Sequence, residues 1–171
     1  RDMVKSMISM YDECGWLPKW ELFGRETYTM EGDPSIPVIV DCWLKGLRGY
    51  DINKAYTAMK KGAMTDEKSN PLRPDNNEYV EKGYISLRDS FDNSVSHALE
   101  YYIADNALSR IAAALGKDAA ARGEKEKARR YQADARLFHE RSLGYKHYYS
   151  KESGTFRPIL PNGEFYSPFD P

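Results

Sequence analysis

The chain is poor in cysteine, carries no excess of either charge and contains no long apolar run. Each absence closes off a class of protein. Two cysteines, Cys14 and Cys42, cannot build a disulfide framework. Each sits beside apolar residues, so a buried small side chain is the expectation for both. Lys+Arg 25 against Asp+Glu 26 leaves a formal net charge of −1. A basic field of the kind that gathers nucleic acid or an anionic membrane surface is therefore missing. The one basic cluster, Lys125, Lys127, Arg129 and Arg130, is interleaved with Glu124 and Glu126 and reads as a solvated helix face. No stretch of about 18 apolar residues occurs, so no segment qualifies as a membrane-spanning helix. Strand-like alternation is scarce and no repeat of fixed period is evident, which argues against a β fold and against a solenoid.

What is present is helix. Met3, Met7, Ile8, Met10 and Tyr11 recur at near-helical spacing over 3–13, and Gly15 stops the pattern. Pro34 and Ser35 open a second helix that Gly49 ends, with Val38, Ile39, Cys42, Trp43 and Leu47 spread around most of its circumference. A third runs from about Ile52 to Met64. Residues 65–91 form a long polar connection with a short turn expected near Asn77–Lys82 and an extended piece around Tyr84–Leu87. Asn93 or Ser94 then caps a helix striped by Val95, Leu99, Tyr102, Ile103, Ala107, Ile111 and Leu115, with Gly116 as its expected C′ residue. The next is expected over roughly 118–142, and 145–171 turns irregular. The fold class is all-α. Antiparallel helix pairs joined by large loops fit part of an (α/α)6 toroid. A length of 171 residues is that of one domain. A chain that opens on Arg1 and closes within a loop at SPFDP reads as an excerpt of a longer one.

The stretch GWLPKWELFGRETYTMEGD, residues 15–33, holds Trp16 and Trp20 together with Glu21, Glu26, Glu31 and Asp33. It has the period of neither helix nor strand. Hydrolysis of a glycosidic bond generally needs two carboxyl groups, one to protonate the leaving oxygen and one to assist water or attack carbon. Glu26, between Trp20 and Tyr28, is placed to be desolvated, and burial raises a carboxyl pKa towards the range of a proton donor. Exposed loop glutamates are common, so composition alone is a weak signal. Trp16 and Trp20 suit stacking on a sugar ring and suit equally a role as core plugs. The thirteen tyrosines divide the same way, between carbohydrate contact and a core with wet edges. His97 precedes Glu100 by three residues, a spacing open to a metal. With no third ligand visible, a hydrogen-bonded histidine is the better reading.

Three ordered blocks give these residues a context. GWLPKWELFGRETYTMEGD with VIVDCWLKGLRGYDINKAYTAMKKGA, then VSHALEYYIADNALSRIAAALGK, then SGTFRPILPNGEFYSPFDP together resemble the catalytic domain of glycoside hydrolase family 92. The resemblance implies a calcium-dependent, inverting exo-α-mannosidase acting on mannose-containing glycans. It also implies that 1–171 is an excerpt of an (α/α)6 catalytic domain, the N-terminal β-sandwich and the remainder of the barrel lying elsewhere. On the family's pattern Glu26 is the general acid and Glu21 is structural. Asp170, in FDP, is the candidate for the base or its support, with residues beyond Pro171 the other place to look. In an inverting enzyme the two carboxyls stand roughly 6.5–9.5 Å apart. Glu100, in L-E-Y, is the candidate calcium ligand, against an alternative role as an anchor for neighbouring loops. Calcium takes about six to eight oxygens.

The chain departs from the pattern where α-1,2-specific members carry a His-Glu pair, and here Asp92 and Asn93 stand near that place. Another mannosidic linkage is left open. The resemblance also implies a bacterial periplasmic or secreted setting. An incomplete barrel would expose helix faces through which it could self-associate. Two other readings stand beside the mannosidase: a non-catalytic helical carbohydrate-binding or scaffold module, and an (α/α)6 glycosidase for a different sugar. The scaffold reading expects a closed, dry loop with Glu26 bridged to Arg25 or Arg48.

Overall fold

The computed structural model describes residues 1–88 and 93–170. Among them the chain forms α1 (Asp2–Cys14), α2 (Ser35–Leu44), α3 (Ile52–Met64), α4 (Asn76–Lys82), α5 (Ser94–Ala121) and α6 (Lys125–Ser142). Two short antiparallel hairpins complete it, β1 (Glu21–Leu22) with β2 (Arg25–Glu26), and β3 (Tyr149–Ser150) with β4 (Thr155–Phe156). The molecule is mostly helical, as the sequence led one to expect. No helix among the described residues is long and apolar enough to cross a membrane.

Local chemistry sets the helix ends. Gly15, at φ 80°, closes α1 by donating its N–H to the Tyr11 carbonyl. Asp51 caps α3, its carboxylate accepting from the N–H groups of Asn53 and Lys54 at 2.9 and 3.0 Å. α5 departs from expectation. It runs straight through Gly116 and ends five residues later. A β-carbon on Gly116 would lie 3.3 Å from Tyr131 Cβ, so the glycine lets α5 and α6 approach closely rather than ending the helix. The break comes at Gly123, with φ 77°, and α6 accordingly starts at Lys125, not near 118. The cysteines also depart from expectation: Cys14 is exposed and Cys42 half-buried, and both are free thiols.

The helices zig-zag between two layers. α2 and α5 pack on each other, and α1, α3 and α6 lie behind them. The outer layer is tied by Lys60 and Tyr56 on α3, whose Nζ and hydroxyl reach the Asp134 carboxylate on α6 at 2.7 and 2.8 Å. Ile36, Ile39, Met59, Leu108, Ile111 and Phe138, all essentially inaccessible, fill the space between the layers. Connections α2–α3 and α5–α6 are short. The long ones, 15–34 and the described part (65–88) of the connection after α3, together with the segment after α6, emerge at the opposite end and pack on one another. Lys19 Nζ donates to the Leu72 carbonyl at 3.0 Å. Leu87 N–H donates to the Ile159 carbonyl at 2.7 Å, and the Tyr148 hydroxyl bridges the N–H and C=O of Ile85. A β-carbon on Gly144 would come within 2.5 Å of the Gly83 carbonyl, so the third segment sits backbone to backbone on the second.

Candidate active site

The loop end is where the chemistry-bearing residues meet. Residues 21–26, irregular by sequence pattern, form a tight hairpin with Glu21 opposite Glu26 and Leu22 opposite Arg25. Its tip, Phe23-Gly24, has both φ angles positive, 53° and 75°, as a type I′ turn requires. Phenylalanine is a poor residue for that turn, which is why no hairpin signal was legible.

Glu26 organises the hairpin's base. Its Oε2 accepts from Lys19 N–H at 2.6 Å, and its Oε1 from the N–H groups of Trp20, Thr27 and Tyr28 at 2.8, 2.9 and 2.7 Å. Tyr28 holds a positive φ of 54° while making the last of these bonds. Burial pushes the Glu26 carboxyl up, as anticipated, but the four backbone donors outweigh it and the net shift is downward. The nest of amides favours the ionised form of Glu26. No ion pair joins it to Arg25 or Arg48 among the described residues. Arg48 instead lies over the Trp43 ring, 3.7 Å from its centroid. The loop is not closed either. Glu26 lines a cavity of about 250 Å³ together with Glu13, Glu21, Trp16 and Gly24.

The two tryptophans part company. Trp16 is half-buried, one ring face covered by Lys61 Nζ at 4.2 Å, and it lines the carboxylate cavity. Trp20 is 47% exposed and lines a separate groove of about 500 Å³, whose other walls include Met3, Met7, Met10 and Val38.

Glu100 stands on the first turns of α5, exposed, at the same end. Gly32 lies directly against it: a β-carbon there would be 2.6 Å from Glu100 Cβ. The tail of the 15–33 loop is thus seated on the helix that carries Glu100, whose carboxylate makes no hydrogen bond or ion pair among the described residues. Among them, too, no three His, Cys, Asp or Glu side chains converge as a metal cluster would. The residues present fit one ligand of a calcium ion and not its shell. Asp170 is exposed; among the described residues the bonds anchoring the segment after α6 run to Ile85, Leu87 and Ser94 rather than to the Glu26 hairpin. His97 is hydrogen-bonded, as read from sequence: Nδ1 meets Asp75 at 3.3 Å and Nε2 meets Asn93 at 3.1 Å. Asp92 lies outside the described residues.

A further cluster escaped sequence reading. Arg73, in the polar connection, is wholly buried. Its Nε lies 3.4 Å from Asp33 Oδ2 and its Nη1 3.0 Å from Asp105 Oδ1, both carboxylates being buried too. Arg141 Nε, at 2.8 Å, and the Tyr79 hydroxyl, at 2.9 Å, complete the surroundings of Asp105. Desolvation pushes the Asp33 carboxyl up despite Arg73. Lys19, buried alongside, is pushed down by desolvation although Asp33, Glu26 and Glu31 oppose the shift. Asp33 is the end of the Glu26 loop, so this buried cluster fastens that loop to α5 and α6.

Two layers of paired helices, with the long connections and a carboxylate-lined cavity gathered at one end, form part of a helical toroid. The chain belongs to glycosyl hydrolase family 92, whose catalytic domain matches residues 1–171. Solved structures agree. The family GH92 inverting mannosidase BT2199 from Bacteroides thetaiotaomicron is similar over 98% of this chain and 21% of its own, with 25% identity and a TM-score of 0.81. The GH92 α-mannosidase BT3965 of the same organism is similar over 99% of this chain and 20% of its own, at 30% identity and a TM-score of 0.78. A second structure of BT3965 holds mannoimidazole. The chain thus spans about a fifth of the length of the solved structures it matches. Comparison with curated protein sequences gave no match.

Proposed function

We propose that the protein carrying this chain is an exo-acting, inverting α-mannosidase of mannose-containing glycans, and that Glu26 is its general acid. The observation that carries the reading is the placement of Glu26, held by four backbone N–H groups at the wall of a cavity on the loop end. The mannoimidazole complex of BT3965 supports mannose as the sugar. As the acid, Glu26 delivers a proton to the departing glycosidic oxygen while a second carboxylate draws a proton from the attacking water. Asp170 is the proposed base, or its support, on this chain. The backbone nest fixes the Glu26 carboxyl so that little orientation is lost at the transition state. The test is the complete protein acting on α-linked mannobiose, with the released anomer followed by proton NMR. β-Mannose appearing first is expected. α-Mannose first would exclude inversion, and release of another sugar from an α-glucoside or α-galactoside panel, without mannose, would favour the different-sugar reading.

Calcium enters the proposal through Glu100 alone. When bound, such an ion polarises substrate oxygens; what this chain offers it is one exposed carboxylate braced against Gly32. Calcium is expected to raise the melting temperature of the complete protein after EDTA treatment, and Glu100→Gln to reduce that rise and weaken calcium binding about tenfold or more. An unchanged calcium response in the variant would assign Glu100 to anchoring the loop.

A further inference from the structure

Phe23 is unexplained by anything within the fold. It is 93% exposed, so no apolar burial holds it. It also sits at φ 53°, in the first central position of a type I′ turn, where asparagine, aspartate or glycine is preferred. A side chain other than those disfavours the left-handed region by about 1–2 kcal/mol. The hairpin is therefore built around a residue that costs stability in two ways, an exposed ring and a strained backbone. Strain of this kind gathers at ligand sites.

Phe23 directly precedes Gly24, which lines the carboxylate cavity. The tip stands three residues from Glu26, within about 10 Å along the strand. The carboxylate cavity runs beside the same hairpin, from Gly24 at the tip to Glu26 at the base. At about 250 Å³ it is smaller than the pockets that enclose drug-sized ligands, about 300–1,000 Å³. One sugar ring fits there, and the next unit of a glycan lies outside it. A flat, exposed apolar ring one residue from the cavity wall suits the apolar face of a pyranose.

We infer that Phe23 is a specificity-determining platform for the leaving-group sugar, stacking on the saccharide unit beyond the cleaved bond. This deepens the mannosidase reading and rests on the cavity beside Glu26 as the place of the first sugar. A buried docking role, with the ring packed into another part of the complete protein, is the competing account.

Phe23→Asn separates them, because asparagine tolerates the left-handed region and removes only the ring. On the complete protein, kcat/KM would be measured for α-linked mannobiose and for α-mannosyl fluoride, which has no leaving sugar. The expected result is a fall of about fivefold or more in the mannobiose-to-fluoride ratio, seen mainly in KM, with a melting temperature that holds or rises. An unchanged ratio overturns the inference. A lowered melting temperature with equal losses on both substrates overturns it in favour of packing. Should the unaltered protein cleave neither mannoside, the mannosidase reading fails, and calorimetric binding of mannobiose and maltose decides the platform. Weaker binding by the variant then sustains it, whereas equal binding, or none by either protein, overturns it.

Discussion

Glu26→Gln in the complete protein is expected to slow hydrolysis of mannobiose by about 10²–10⁴-fold, the usual contribution of a positioned general acid. The loss should shrink to tenfold or less for an activated aryl mannoside, whose leaving group departs without a proton. The contrast matters because the same substitution also disturbs the loop. Glu26 accepts from Lys19, Trp20, Thr27 and Tyr28. A glutamine can offer its single oxygen to only one side of that nest and turns an N–H₂ group towards donors on the other. The disturbance lowers the rate on both substrates alike, whereas loss of the proton donor does not. Equal loss on the two would reassign Glu26 to a purely structural anchor.

The amide nest also fixes the sign of the pH dependence. The Glu26 pKa is lowered from 4.5, so the stability contributed by its ionised form is present above that value and lost as pH falls through the lowered one. Catalysis as an acid needs the opposite state, protonated Glu26, whose share declines as pH rises. An enzyme built this way works best at acidic pH, with an alkaline limb in kcat/KM for mannobiose that Glu26→Gln flattens. A rate limb untouched by the variant would place the acid on another residue.

How much of this was legible beforehand depended on the range of the determining interaction. α3 lies at its expected bounds because the spacing of Ala55, Tyr56, Met59 and Ala63 along one face is a local signal. Gly116 misled because glycine serves two purposes. Only its partner Tyr131, on the following helix, distinguishes close packing from a helix end. The Glu26 hairpin was invisible because Phe23-Gly24 is not a favoured turn pair. Glu26 itself could be singled out from its aromatic neighbours and from resemblance. The direction of its pKa could not be, since four backbone N–H groups converge only after the chain has folded back. Arg73 was hidden most completely. It lies in NPLRPDNN, a segment polar enough to pass for solvated loop, and its partners Asp33 and Asp105 stand 40 and 32 residues away.

That hidden arginine carries the largest expected effect on stability. Arg73→Met removes the positive partner shared by Asp33 and Asp105. Asp105 keeps Arg141 and the Tyr79 hydroxyl, whereas Asp33 is left as a buried carboxylate with no close ion-pair partner. Breaking one side of a buried pair costs about 3–5 kcal/mol. The pH dependence tells this mechanism from simple loss of packing. Without Arg73, desolvation and the neighbouring Asp105 carboxylate push the Asp33 pKa up against Lys19 alone, and its folded pKa stands further above the unfolded value. The folded variant then binds more protons than the unfolded chain, and its stability falls as pH rises through that interval. The deficit, measured by denaturant unfolding of the complete protein, should thus be smaller near pH 5 than near pH 8. Adding Asp33→Asn to Arg73→Met should recover part of it at the higher pH, because a neutral amide there needs no counter-charge. If the two substitutions instead add, Asp33 and Arg73 are not energetically coupled, and the loop is held by Lys19 and Gly32 without them. Coupling has a functional consequence as well. Asp33 is the last residue of the loop that presents Glu26, so Arg73→Met should also lower kcat on mannobiose under conditions where the variant remains folded, and Arg73→Met/Asp33→Asn should restore part of it.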